Sequence, residues 1–134
     1  MIYARYIGEG NYHDTGFGRF LVFQSIENEK HFFILGHLSE TPGCVITFRD
    51  NEEITPGTIV GYVGNTGNCS DCNTQADRDK GNGSHLHVQL VVREDEKQII
   101  YNINKQTLGE LNKYSINPFD YNDKYAETKF REDK

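Results

Sequence analysis

The chain has 134 residues, 36% of them hydrophobic, with 13 glycines, three prolines and no tryptophan. That length holds one packed core, and the glycine content favours short strands and turns over a helix bundle. A net charge of -6 and a pI near 5.3 argue against nucleic acid and anionic membrane surfaces as partners. No apolar run approaches the roughly 18–20 residues of a membrane span, and no charged-then-apolar leader opens the sequence.

Residues 1–7 alternate as a strand, and the four glycines between Gly8 and Gly18 read as a loop. Residues 19–26 are rich in β-formers, and residues 30–38 return as a second strand across the polar turn Glu27-Asn28-Glu29, giving an antiparallel hairpin. His31, at the start of that second strand, is expected to be exposed. Thr41-Pro42-Gly43 turns the chain into a short strand at 44–48, and residues 54–67 read as short strands punctuated by Pro-Gly and further glycines. Residues 68–83 form a polar surface loop, followed by a strand at 85–93 and another at 98–103. Residues 106–113 suit a short helix, the ordered domain ends near residue 121, and residues 122–134 make a charged tail. Short strands with glycine-rich turns predict a mainly β, antiparallel sheet domain spanning 1–121.

The stretch that carries chemistry is Gly83-Ser84-His85-Leu86-His87-Val88-Gln89-Leu90-Val91-Val92. In a strand, residues two apart share a face, so His85 and His87 project together while Leu86 and Val88 point away. Two imidazoles aimed into one space can bind a metal, or one can bind it while the other handles protons. The bland alternative is a half-exposed sheet edge. Cysteines number three, Cys44, Cys69 and Cys72, an odd count that argues against a disulfide framework. Cys69-Ser70-Asp71-Cys72 has the gap of a zinc half-site or a redox pair, but the chain lacks a second such pair. A local disulfide or two free thiols in a loop is the favoured reading.

In this order the motifs resemble the lysostaphin-type, or LytM-like, zinc metallopeptidases that cut peptide cross-links of peptidoglycan. The resemblance runs through Gly16-Phe17-Gly18 before an apolar strand, Gly36-His37-Leu38-Ser39 at a strand end, Gly64-Asn65-Thr66-Gly67, His85-Leu86-His87, and Asn117-Pro118 near the end. It covers residues 1–121 and implies a LytM-like antiparallel β fold with long loops. It also implies one zinc, with His87 as a metal ligand and with His37 and His85 as catalytic groups beside a metal-bound water. The implied partner is the peptide of peptidoglycan, and the implied setting is extracellular, the cell envelope or a virus particle.

The sequence departs from the family in two places. The His-x3-Asp motif that supplies a further His and an Asp to the zinc falls upstream of the strand that Ile2-Tyr3-Ala4 resembles, and this sequence does not contain it. Three readings stay open: an upstream segment supplies the ligands, a second chain completes the site, or the fold serves binding or assembly without catalysis, for example in a phage tail or the cell envelope. His13-Asp14 is the remaining His-Asp pair, and a solvated loop pair is preferred there over replacement ligands. The second departure is the long loop from Asn68 to Ser84, expected to wall the substrate groove with Cys69 and Cys72 stapling its base.

Overall fold

The computed structural model describes residues 3–13, 15–69, 72, 74–93, 97, 99, 113 and 115–116. Its six strands form one antiparallel sheet in the order β4-β1-β2-β3-β5-β6. These are β1 (Ala4–Asn11), β2 (Arg19–Ser25), β3 (His31–Leu38), β4 (Glu53–Ile54), β5 (His87–Val92) and β6 (Ser115–Ile116), and a short helix, α1 (Gln75–Asp79), lies between β4 and β5. The mainly β, antiparallel expectation is met.

Strands β2 and β3 sit at the centre, and both faces of the sheet carry apolar cover. Phe20 and Val22 of β2 and Phe32 and Ile34 of β3 bury on one face with Phe17, Val91 and Ile99. Leu21 and Phe23 bury on the other with Tyr6, Leu38 and Ile54, and Phe33, Leu35, Phe48 and Val60 pack against them. Strict alternation therefore holds along β2, yet every residue of it is buried, the pattern of a strand covered on both sides rather than half-solvated.

Several expectations need correction. His31 is fully buried, not exposed. It stands on a central strand, opposite Val92 of β5, where a hairpin edge would have left it in water. β1 extends through Gly8 and Gly10 to Asn11, because Gly8, Glu9 and Gly10 pair with Val22, Leu21 and Phe20; a Cβ at Gly10 would stand 2.7 Å from the Phe20 ring. Residues 44–48 form no strand, although Phe48 stacks on Tyr6 with ring centroids 5.0 Å apart. The polar loop at 68–83 contains α1, which starts at a capping box between Thr74 and Asp77. Ile99 is helical where a strand was expected, and Lys97 just before that stretch is helical too. The remainder of that strand, the helix expected at 106–113 except Lys113, Asn117-Pro118 and the tail at 122–134 lie outside the described residues.

Candidate functional site

One irregularity in the sheet builds the site. β2 and β3 pair Leu21 with Leu35 and then Arg19 with Leu38, so two steps on β2 oppose three on β3. The extra residue is a bulge at Gly36 and His37, and His37 adopts φ +61°. Without the bulge, alternation from Phe33 and Leu35 would send His37 to the face that holds Leu21 and Phe23. With it, Leu38 takes that face and His37 turns to the other, where Gly36 pairs with His87. A side chain at Gly36 would be a tight fit: a Cβ there would lie 3.3 Å from Phe17 Cβ and 3.4 Å from His87 Cβ.

The three histidines singled out in the sequence come together. The ring centroids of His37 and His85 lie 4.1 Å apart, and those of His37 and His87 5.9 Å apart. Phe17 underlies them, with its ring 4.7 Å from that of His87 and edge-on to His37 at 6.4 Å. His37 is buried, His87 half-buried and His85 exposed. The cluster thus grades from core to solvent.

Each imidazole has one nitrogen held by an oxygen that only accepts, which settles its neutral tautomer. His37 Nδ1 donates to the Thr66 carbonyl at 2.7 Å, and His85 Nδ1 donates to the Gly83 carbonyl at 2.7 Å; both present a bare Nε2. His87 is the reverse. Its Nε2 donates to Gln89 Oε1 at 2.9 Å, while Gln89 Nε2 donates to Ser115 Oγ at 2.6 Å, so His87 presents Nδ1. Burial pushes the His37 pKa below the usual imidazole range; the Thr66 hydrogen bond opposes this and the positive charges of protonated His85 and His87 reinforce it.

Residues that sequence reasoning missed hold this arrangement in place. Thr66, buried, donates its hydroxyl to Leu38 O at 2.7 Å and accepts the Arg19 backbone N–H at 2.9 Å. It ties the Gly64–Gly67 loop to β2 and β3 at the Arg19–Leu38 pair, next to the bulge. A Cβ on Gly18, which has φ +61°, would collide with the backbone of Thr66 and Gly67. Gly-Phe-Gly and Gly-Asn-Thr-Gly therefore belong together: two glycine loops in direct backbone contact. Gln89 carried a local signal, since it lies two residues beyond His87 and shares its face.

Beside the cluster, a polar groove of about 920 Å3 is lined by His13, Glu40, Asn65, Cys69, Cys72 and Arg78 among others. A smaller hollow at His85 is walled by Asn68, Cys69, Gly83 and Ser84. The long loop thus lines both, and Cys69 and Cys72 are joined in a disulfide, with Cys44 free. His13 does not turn toward the imidazole cluster; its Nδ1 donates to Glu40 at 3.0 Å. Asp14 lies outside the described residues.

Among the described residues, no group of three His, Cys, Asp or Glu side chains is arranged to hold a metal ion. The donor chemistry of His87 nevertheless fits zinc: a neutral imidazole whose second nitrogen is oriented by an acceptor. No family model, no curated protein and no solved structure matches the chain.

Proposed function

We propose that this chain is the peptidase domain of a LytM-like zinc endopeptidase that cuts peptide cross-links of bacterial cell walls. The observation that carries the reading is the convergence of His37, His85 and His87 at a sheet bulge. A bulge that re-aims a side chain, and a non-glycine residue with positive φ, are both features concentrated at functional sites.

In this reading His87 is a metal ligand through Nδ1. Bound zinc would acidify a water and polarise the scissile carbonyl. His37 and His85, each with a bare Nε2, take the proton of the attacking water or stabilise the developing oxyanion with that nitrogen protonated. Burial suits His37 to the base role, because a neutral ring is the form it favours. The Phe17 ring and the apolar face beneath keep bulk water off one side of His37 and His87. The reading places the protein outside the cell, in the envelope or on a virus particle. Among the described residues, no helix is long and apolar enough to cross a membrane.

The second reading, a LytM-like module acting in binding or assembly without catalysis, is favoured by one observation: His87 stands without two further metal ligands among the described residues. Metal analysis and digestion of cross-linked peptidoglycan separate the two. The chain alone is expected to hold zinc weakly, and the chain joined to a segment bearing His-x3-Asp is expected to hold about one zinc and to release new amino termini. A joined protein that binds zinc tightly but releases none supports the binding module.

A further inference from the structure

The imidazole cluster leaves the large groove unused. The groove's walls are fixed before any ligand arrives. The Asn65 side chain donates to the carbonyls of Arg78 and Asn82 at 3.0 and 2.9 Å. The Arg78 guanidinium donates in return to the carbonyls of Asn65 and Gly67 at 2.6 and 3.0 Å, and Cys69 and Cys72, joined in a disulfide, line the groove as well. A preformed concavity of about 920 Å3 is in the range of built ligand sites.

At its rim Glu40 accepts two hydrogen bonds, from Asn11 Nδ2 at 2.6 Å and from His13 Nδ1 at 3.0 Å. The carboxylate accepts the Nδ1–H, so in its neutral form His13 offers Nε2 as a bare acceptor. The backbone of His13 is pinned: its φ is +57°, and its carbonyl accepts the Gly67 N–H at 2.6 Å. The side chain itself is 73% exposed. Among the described residues, four ionisable groups line the groove: Glu40, Asp79, Arg78 and His13. Arg78 is engaged with two carbonyls and His13 with Glu40. What the groove offers a ligand is therefore acceptors and negative charge.

We propose that the groove binds an ammonium group carried by an extended peptide, with the His13–Glu40 pair as its receptor. His13 Nε2 accepts one ammonium N–H and Glu40 supplies the opposing charge. The peptide character of the ligand rests on the function proposed above, whereas the ammonium preference rests on the pair alone. The groove and the hollow at His85 share Asn68 and Cys69, so a chain seated in one can continue into the other.

The test is a titration of the 15N-labelled chain with tetra-alanine and with N-acetyl tetra-alanine at about pH 7, where the free α-amine is mostly protonated. The free-amine peptide is expected to bind saturably and shift the His13 Nε2 resonance. Acetylation is expected to weaken binding roughly tenfold, the loss of one charge-assisted hydrogen bond. Glu40→Gln should bring the two peptides level, and so should His13→Asn, whose side chain tolerates a left-handed backbone. Equal affinity of the native chain for the two peptides, no saturable binding of either, or discrimination that survives Glu40→Gln overturns the proposal. Because no hydrolysis is measured, a chain that binds the amine but cuts nothing ends the peptidase reading alone. A chain that cuts without preferring the amine ends this one alone.

Discussion

His37 and His85 stand ring beside ring, centroids 4.1 Å apart and planes tilted by 38°, although 47 residues of chain separate them. One residue joins their backbones. Gly64 donates its N–H to His37 O and accepts the His85 N–H, both at 3.0 Å. A Cβ on Gly64 would lie 2.6 Å from Ser39 N, so only glycine lets this bridge run between the two strands. Burial, and the charge a protonated His85 would place so close, both disfavour a proton on His37.

That relationship gives a pH prediction. The folded pKa of His37 lies below its unfolded value. As pH falls below about 6.5, the unfolded chain takes a proton at this residue that the folded chain does not, so the fold loses stability on acidification. The contribution is fully present above the unfolded value and declines as pH falls toward the folded one. His37→Asn keeps a side chain that tolerates positive φ and should flatten this part of the curve. Urea unfolding midpoints measured between about pH 7 and pH 5 check it; identical slopes for the two proteins would show that His37 titrates alike in both states.

The central hairpin was legible because β-formers on β2 and β3 alternate with the period of a strand. The site was legible only in part. Periodicity joined His85 to His87, but counting by twos along β3 would have put His37 on the wrong face; its assignment came from the family resemblance. The bulge that reconciles the two left one trace, a glycine inside an apolar strand at Gly36. His31 was misjudged because sequence shows where a hairpin begins but not that β5 will later cover its far edge. Thr66 and Glu40 were not singled out because their partners lie 28 and 27 residues away, and hydrogen bonds over such distances leave no local pattern.

Thr66 should be the most sensitive polar residue of the fold. Replacing it by valine keeps its shape but strips the Leu38 carbonyl and the Arg19 N–H of their partner in a buried place. Two unsatisfied backbone groups cost about 2–5 kcal/mol, while Thr66→Ser, which retains the hydroxyl, should cost about 1 kcal/mol. Equilibrium unfolding of the two variants measures the difference. Equal losses would mean that the methyl group, not the hydroxyl, holds the loop.

Glycines with positive φ divide into two kinds. At Gly18 an added Cβ meets Thr66 and Gly67 backbone, whereas at Gly43, φ +89°, it meets nothing within 4 Å. Gly43→Ala should therefore cost only the conformational strain, about 1 kcal/mol. Gly18→Ala adds a backbone collision that no side-chain movement relieves, and should cost about 3 kcal/mol or more. Thermal melts of both variants test the ranking, and a Gly18→Ala protein as stable as Gly43→Ala would contradict the contact between the two glycine loops.

The last prediction concerns the choice of ligand atom. Gln89 is buried and receives the Nε2–H of His87, with Ser115 holding its amide. Gln89→Leu preserves bulk but leaves His87 no acceptor, so the Nδ1-bare tautomer should lose its preference. The imidazole 15N shifts of His87 in the metal-free chain report this directly: one dominant tautomer in the native protein, a mixture in the variant. With the His-x3-Asp segment joined on, the same substitution should weaken zinc binding roughly 10–100-fold. His87→Ala should abolish it, and His85→Ala should leave zinc in place while lowering turnover roughly 10²–10⁴-fold. An unchanged His87 spectrum in Gln89→Leu would show that the ring is oriented by Phe17 packing alone. Zinc lost on removing His85 but kept on removing His87 would reverse the roles of the two histidines.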